Sequence, residues 1–285
     1  MYQGPIINIH GHLRHGQDFD LRLAAWRKWG VRKFVCLCLH PRWSLKGYYT
    51  NQDFLQLADR YREVIVGFGA VNLVAGQVDR PEAVDRLKEQ GFAGIKCEDN
   101  SFPYNHEIYW PLYARMEALG MPALFHTGNV APLELNDGVN HEGRDGIDAE
   151  NMRPYRLDRV ARAFPKLRII GAHLGLPHPF EAINLAQTRP NVFFDFSGGG
   201  GSRSHVNQVL AALSPRLPGA RLDDPADNFA LPLFEKKLLF GTDNPEPEVW
   251  VPASERIMDA LAIPESSRRR FYHDTAAEIL GPAAE

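Results

Sequence analysis

Short apolar runs separated by longer amphipathic stretches most narrow what this 285-residue chain can fold into. The runs occupy residues 5–10, 33–39, 64–71, 93–96, 123–126, 167–173, 192–196 and 237–240. Most are rich in Val, Ile and Phe and are apolar on both sides of the alternation, the pattern of parallel strands buried on two faces. The stretches between them read as helices. Residues 53–61 put Phe54, Leu57, Ala58 and Tyr61 on one face. Residues 81–90 open on Pro81 and stop before Gly91, and residues 110–119 stop before Gly120. Proline at the start and glycine past the end mark helix boundaries. Residues 155–164 carry Leu157, Val160, Ala161 and Phe164 on one stripe. Such alternation, in a chain close to the roughly 250 residues the fold commonly needs, predicts an α/β protein: a single (β/α)8 TIM barrel over residues 1–285. Residues 265–280 predict one or two helices on its exterior.

Three segments exceed the minimal unit: residues 41–50, 127–151 and 213–232. Each follows a strand or the helix after it, so they are expected to be binding loops at the face where strands end, or else disordered. The net charge of −3 has no like-charge block, which argues against nucleic acid or a membrane surface as partner. Cys36, Cys38 and Cys97 form no framework and point to a reducing compartment, with Cys36 and Cys38 read as strand core. With no signal-like start and no apolar stretch of the ~20 residues a span needs, the expected location is cytoplasmic.

The chemistry gathers at the ends of the runs. His10 and His12 close the first, and at i and i+2 of a strand both project the same way. His126, His173 and Asp243 close the fifth, sixth and eighth. Any one of these alone is more simply a satisfied polar residue. Together they share the barrel end where active sites lie. Imidazoles and carboxylate in combination suit zinc, with manganese or iron also compatible.

Ile9-His10-Gly11-His12, Phe125-His126-Thr127-Gly128, Gly171-Ala172-His173-Leu174-Gly175 and Gly241-Thr242-Asp243-Asn244-Pro245, in this order, resemble the amidohydrolase superfamily. The likeness is to its amidohydrolase-related (amidohydrolase 2) branch, which holds the aminocarboxymuconate-semialdehyde and resorcylate decarboxylases. Residues 163–168 also resemble the lead into the sixth strand of that branch. The resemblance implies one divalent metal ion, most often zinc, held by His10, His12, His126 and Asp243, with His173 beside it as general acid/base. A water acidified toward about 7 would then be available at neutral pH, with Asp243 able to accept its proton. Some superfamily members carry a carboxylated lysine where Lys96 stands. Here an ion pair with Glu98 or Asp99, or a cation facing substrate, ranks above that role.

The resulting expectation is a metal-dependent hydrolase of a small carboxylate-bearing molecule: a lactone, amide or ester. The alternatives are a non-oxidative decarboxylase of an aromatic or unsaturated acid and a non-catalytic metal-binding barrel. A nicotinamide oxidoreductase is set aside, because no Gly-x-Gly-x-x-Gly joins the first strand to a helix. Arg203, Lys96 and Arg153 are candidate partners for the substrate carboxylate. Trp43 and Tyr48 are candidate walls against the substrate's apolar face. A small-molecule substrate is the expected partner, and a homo-oligomer stays open.

Overall fold

The computed structural model describes residues 2–129, 147–214, 219–224, 226–244 and 246–285. Its sheet has eight parallel strands in sequential order: β1 (Ile6–Gly11), β2 (Val31–Leu37), β3 (Ile65–Ala70), β4 (Gly94–Cys97), β5 (Ala123–Phe125), β6 (Ile169–Gly171), β7 (Val192–Asp195) and β8 (Leu238–Leu239). The chain after β8 rejoins β1: Ile9 N donates to Phe240 O at 2.9 Å, and Thr242 N and Asp243 N both donate to His10 O at 2.8 Å. The helices are α1 (Phe19–Lys28), α2 (Asn51–Tyr61), α3 (Glu82–Glu89), α4 (Trp110–Ala118), α5 (Leu157–Ala163), α6 (Pro179–Thr188), α7 (Arg203–Leu213), α8 (Ala230–Lys236), α9 (Pro247–Ala260), α10 (Glu265–Arg269) and α11 (Thr275–Leu280). The protein is a (β/α)8 barrel.

The strands are apolar on both faces because each face has its own core. Phe34, Cys36, Ile65, Ile95, Cys97, Ala123, Phe125, Ile169 and Phe194 pack with helix residues such as Trp26, Phe54 and Leu112. Ile7, Ile9, Val35, Leu37, Val66, Phe68, Leu124, Ile170 and Leu239 fill the interior. Ala276, Ile279 and Leu280 join that interior set. Arg168, just before β6, donates to Ile279 O at 2.9 Å, so α11 lies at the end where strands begin. The terminal helix therefore plugs the barrel's lower mouth instead of lying on its exterior. Interior side chains at that end need an apolar cover, and Ala276, Ile279 and Leu280 supply one.

Of the three long segments, residues 41–50 contain the 3-10 helix Pro41–Lys46. Residues 213–232 run into α8 at Ala230, and residues 127–151 end in the 3-10 helix Ala149–Met152. Residues 130–146 lie outside the described residues.

Candidate active site and metal centre

A β-bulge sets the first two histidines. Between the pairs Asn8↔Phe34 and Gly11↔Cys36, β1 runs three residues against two. Bulges re-aim side chains at barrel rims. Here the consecutive Ile9 and His10 both serve the interior: Ile9 joins the inner apolar set, and His10 meets Asp195 at the end of β7. His173 and Asp243 both have φ of 60°. That left-handed region is uncommon for residues with a Cβ, and its use clusters at functional sites. Gly198 (φ 109°) lets the β7 loop pass close to His173; a Cβ there would lie 2.6 Å from His173 Nδ1.

The side chains converge above the strand ends. His10 Nδ1 is 2.9 Å from Asp195 Oδ2, and both side chains are fully buried. Asp243 Oδ1 lies 3.6 Å from His10 Nε2 and 3.4 Å from His12 Nε2. The other nitrogen of His12 faces Leu37 O at 3.0 Å. His173 Nδ1 faces Ser197 O at 2.9 Å, and its ring centroid is 4.9 Å from that of His10 and 5.0 Å from that of His126. His126 Nδ1 is 3.7 Å from Glu98 Oε1, and its Nε2 faces Asn129 O at 3.0 Å. Lys96 Nζ, almost fully buried, lies 3.4 Å from Glu98 Oε2.

Burial pushes His10 down to about 4 against the pull of Asp195, and pushes His126 down to about 4 against Glu98. Burial works to raise Asp195, but the charge and hydrogen bond of His10, with His173 and Ser197, hold it below the usual carboxylate range. Burial likewise opposes ionisation of Glu98, yet Lys96 and three imidazoles bring it down to about 2. Buried His10 and His126 are therefore neutral imidazoles beside the ionised carboxylates of Asp195 and Glu98.

This donor set fits a divalent cation. His10, His173 and Asp243 each offer an atom within 4.8 Å of the others, and His12 adjoins them through Asp243. His10 Nε2 is buried with no hydrogen-bond partner and faces this group, while Nδ1 is held by a carboxylate. A histidine oriented by a carboxylate on its far nitrogen is the usual arrangement behind a metal ligand. The compact trio includes His173, which the resemblance casts as acid/base, and omits His126, which it casts as a ligand. The reason is local: Ser197 O fixes the His173 ring against His10, whereas His126 is drawn between Glu98 and Asn129 O.

A family model described as amidohydrolase matches residues 42–281. The chain belongs to the amidohydrolase family. It is an enzyme of the amidohydrolase-related type. The match starts beyond His10 and His12, so the structure, and not the family model, joins those two to the rest. No curated protein gives a significant match. Among solved structures, the chain is similar to 2,6-dihydroxybenzoate decarboxylase from Rhizobium, at 16% identity over 98% of this chain and 99% of that one, with a TM-score of 0.66. It is similar to a probable 2-pyrone-4,6-dicarboxylic acid hydrolase from Acinetobacter baumannii with citric acid bound, at 14% identity over 97% and 99%, with a TM-score of 0.62. A third likeness is to 5-carboxyvanillate decarboxylase from Novosphingobium aromaticivorans complexed with manganese, at 16% identity over 91% and 79%, with a TM-score of 0.55. At these identities the likeness is one of fold.

In this amidohydrolase a cleft of about 460 Å³ opens above the histidines. His12, His126, His173, Asp243 and Glu98 line its floor, and Trp43, Tyr48, Leu39, Leu176 and Pro177 supply apolar wall. Trp43 Nε1 donates to Asp99 Oδ2 at 2.7 Å, which leaves the indole as a fixed surface. Trp43 and Tyr48 both line the cleft. The proposed cations do not share that position. Arg153 pairs with Glu181 and Glu150 and lines a separate surface hollow with Tyr155 and Arg159. Arg203 is exposed on the first turn of α7 and is not among the cleft's lining residues. Lys96 is buried, is not among the cleft's lining residues, and is engaged by Glu98.

Sequence reasoning passed over Asp195 and Glu98 as working residues. Asp195 ends β7 at the same level as the other strand-end residues, and Glu98 follows Lys96 with the period of two that keeps both on the interior face. Those positions were the available signal.

Proposed function

We propose that the protein is a metal-dependent hydrolase of a small carboxylate-bearing molecule: a lactone, amide or ester. One observation carries the reading. A carboxylate oxygen of Asp243 stands within 3.6 Å of the nitrogens of two imidazoles, at the floor of a cleft large enough for a small ring. His10, His12 and Asp243 would hold the ion, with His126 as the expected fourth donor and zinc the best match to the set. When bound, such an ion supplies Lewis-acid polarisation of a carbonyl and a water acidified toward ~7.

The chain's own groups do the rest. Asp195 keeps His10 in one orientation through Nδ1. Asp243 is ionised and its Oδ1 accepts a bond from Asn244 Nδ2 at 3.2 Å, so its carboxylate is positioned to accept a proton from water. His173, held at Nδ1 by Ser197 O, would act as the imidazolium, giving its Nε2 proton to the departing oxygen or nitrogen. Trp43 and Leu176 supply apolar wall beside the reacting centre.

A decarboxylase of an aromatic acid is the second reading, and the aromatic wall formed by Trp43 and Tyr48 favours it. Incubating the enzyme with paired substrates separates the two. Hydrolysis of lactones or esters bearing a carboxylate, without carbon dioxide from hydroxybenzoates, is the expected result. Carbon dioxide release without hydrolysis replaces the first reading by the second.

A further inference from the structure

Charge around the cleft is uneven in a way the metal centre does not account for. Lys96 is engaged by Glu98, and Arg153 by Glu181. Arg14 differs: among the described residues no carboxylate pairs with its guanidinium, which bonds instead to Tyr48 and Asn244. Its Nη2 donates to the Tyr48 hydroxyl and, at 3.1 Å, to Asn244 Oδ1. Tyr48 and Asn244 both line the cleft, and the Tyr48 hydroxyl donates to Asn244 Oδ1 at 2.7 Å. Asn244 Nδ2 then reaches Asp243. Arg14 is exposed and, like Arg203, is not itself among the lining residues, but unlike Arg203 it is bonded to two residues that are, Tyr48 and Asn244, and through Asn244 to Asp243.

The position is fixed by backbone. Arg14 and Tyr48 form an antiparallel bridge between the loops after β1 and β2. Bonds from His15 N to Gly47 O (2.8 Å) and from Tyr49 N to Leu13 O (3.0 Å) flank it. The guanidinium carbon lies 4.1 Å from the Tyr48 ring centroid. Pinning of this kind holds the charge in place without an acidic partner. An acid pressed against Tyr48 and Asn244 meets a guanidinium whose planar fork matches a carboxylate, and a neutral ester there forgoes the charge-assisted bonds.

We propose that Arg14, steadied by Tyr48 and Asn244, is the receptor for the substrate's carboxylate, setting it at the rim so that the scissile group lies over Asp243 and His173. The assignment rests on the reading of the enzyme as acting on a carboxylate-bearing small molecule, and it takes the place foreseen for Arg203 and Arg153.

Calorimetric titration of the metal-loaded enzyme with monomethyl isophthalate and with the neutral dimethyl ester tests it. Wild type is expected to bind the monoacid roughly 10–100-fold more tightly, the scale of a charge-assisted hydrogen bond. Arg14→Met is expected to abolish that preference, Arg14→Lys to restore part of it, and Arg153→Met to leave it intact. A preference that survives Arg14→Met, equal binding of the two compounds by wild type, or no binding of monomethyl isophthalate would overturn the assignment. Turnover of the mono-para-nitrophenyl ester of isophthalic acid, followed alongside, keeps the two readings apart. An Arg14-dependent preference in an enzyme that cleaves no ester contradicts hydrolysis and leaves the receptor standing.

Discussion

His10 Nδ1 and Asp195 Oδ2 lie 2.9 Å apart with both side chains fully buried, while His10 Nε2 faces the cleft group with no hydrogen-bond partner. The pair fixes which nitrogen of His10 is available. Asp195→Asn removes the carboxylate and keeps its shape. Metal affinity, measured by chelator competition, is expected to fall roughly 10–100-fold, as for other groups that orient a ligand. Unchanged affinity would mean that Asp195 serves the fold alone.

His173 stands close enough to be read as a ligand, since it shares a 4.8 Å grouping with His10 and Asp243. Its role as proton donor predicts otherwise. His173→Asn should retain most of the bound ion and lose kcat by roughly 10²–10⁴-fold. Elemental analysis of the variant decides, because an emptied site would move His173 into the ligand set.

Gly198 offers a test of placement without removing any functional group. A methyl there would press on His173 Nδ1 from 2.6 Å, at a φ of 109° that disfavours alanine. Gly198→Ala is expected to keep its metal while kcat drops by roughly 10²-fold, the cost of shifting a reacting group by about an ångström. Wild-type kcat in this variant would show that the His173 ring need not be held there.

The plug at the lower mouth makes a prediction about stability. Ile279 is 2% exposed and packs with the barrel-interior residues. Ile279→Ala should cost about 2–5 kcal/mol in urea unfolding, with little change in kcat. A loss under about 0.5 kcal/mol, the level of an ordinary surface substitution, would place α11 outside the core.

The barrel was legible because a strand buried on two faces has a distinct pattern, and the strand ends carried the histidines with them. The plug was not legible: amphipathic residues near 276–280 look the same whether they cover an outer face or a mouth. Asp195 and Glu98 were hidden because a lone acid at a strand end has no motif and gains meaning only from a neighbour far along the chain, as His10 is for Asp195. Arg153 was misplaced for the same reason, since its partner Glu181 stands on another helix. Arg14 lay just past the first motif, but its role depends on pairing with Tyr48 across two loops.

The most direct measurement is bound metal against hydrolytic rate in one preparation. Protein stripped by chelator and titrated with zinc or manganese should regain hydrolysis of a carboxylate-bearing lactone or ester in proportion to the ion bound, saturating near one ion per chain. Full hydrolysis by metal-free protein would contradict the metal requirement, and carbon dioxide release in place of hydrolysis would contradict the reaction.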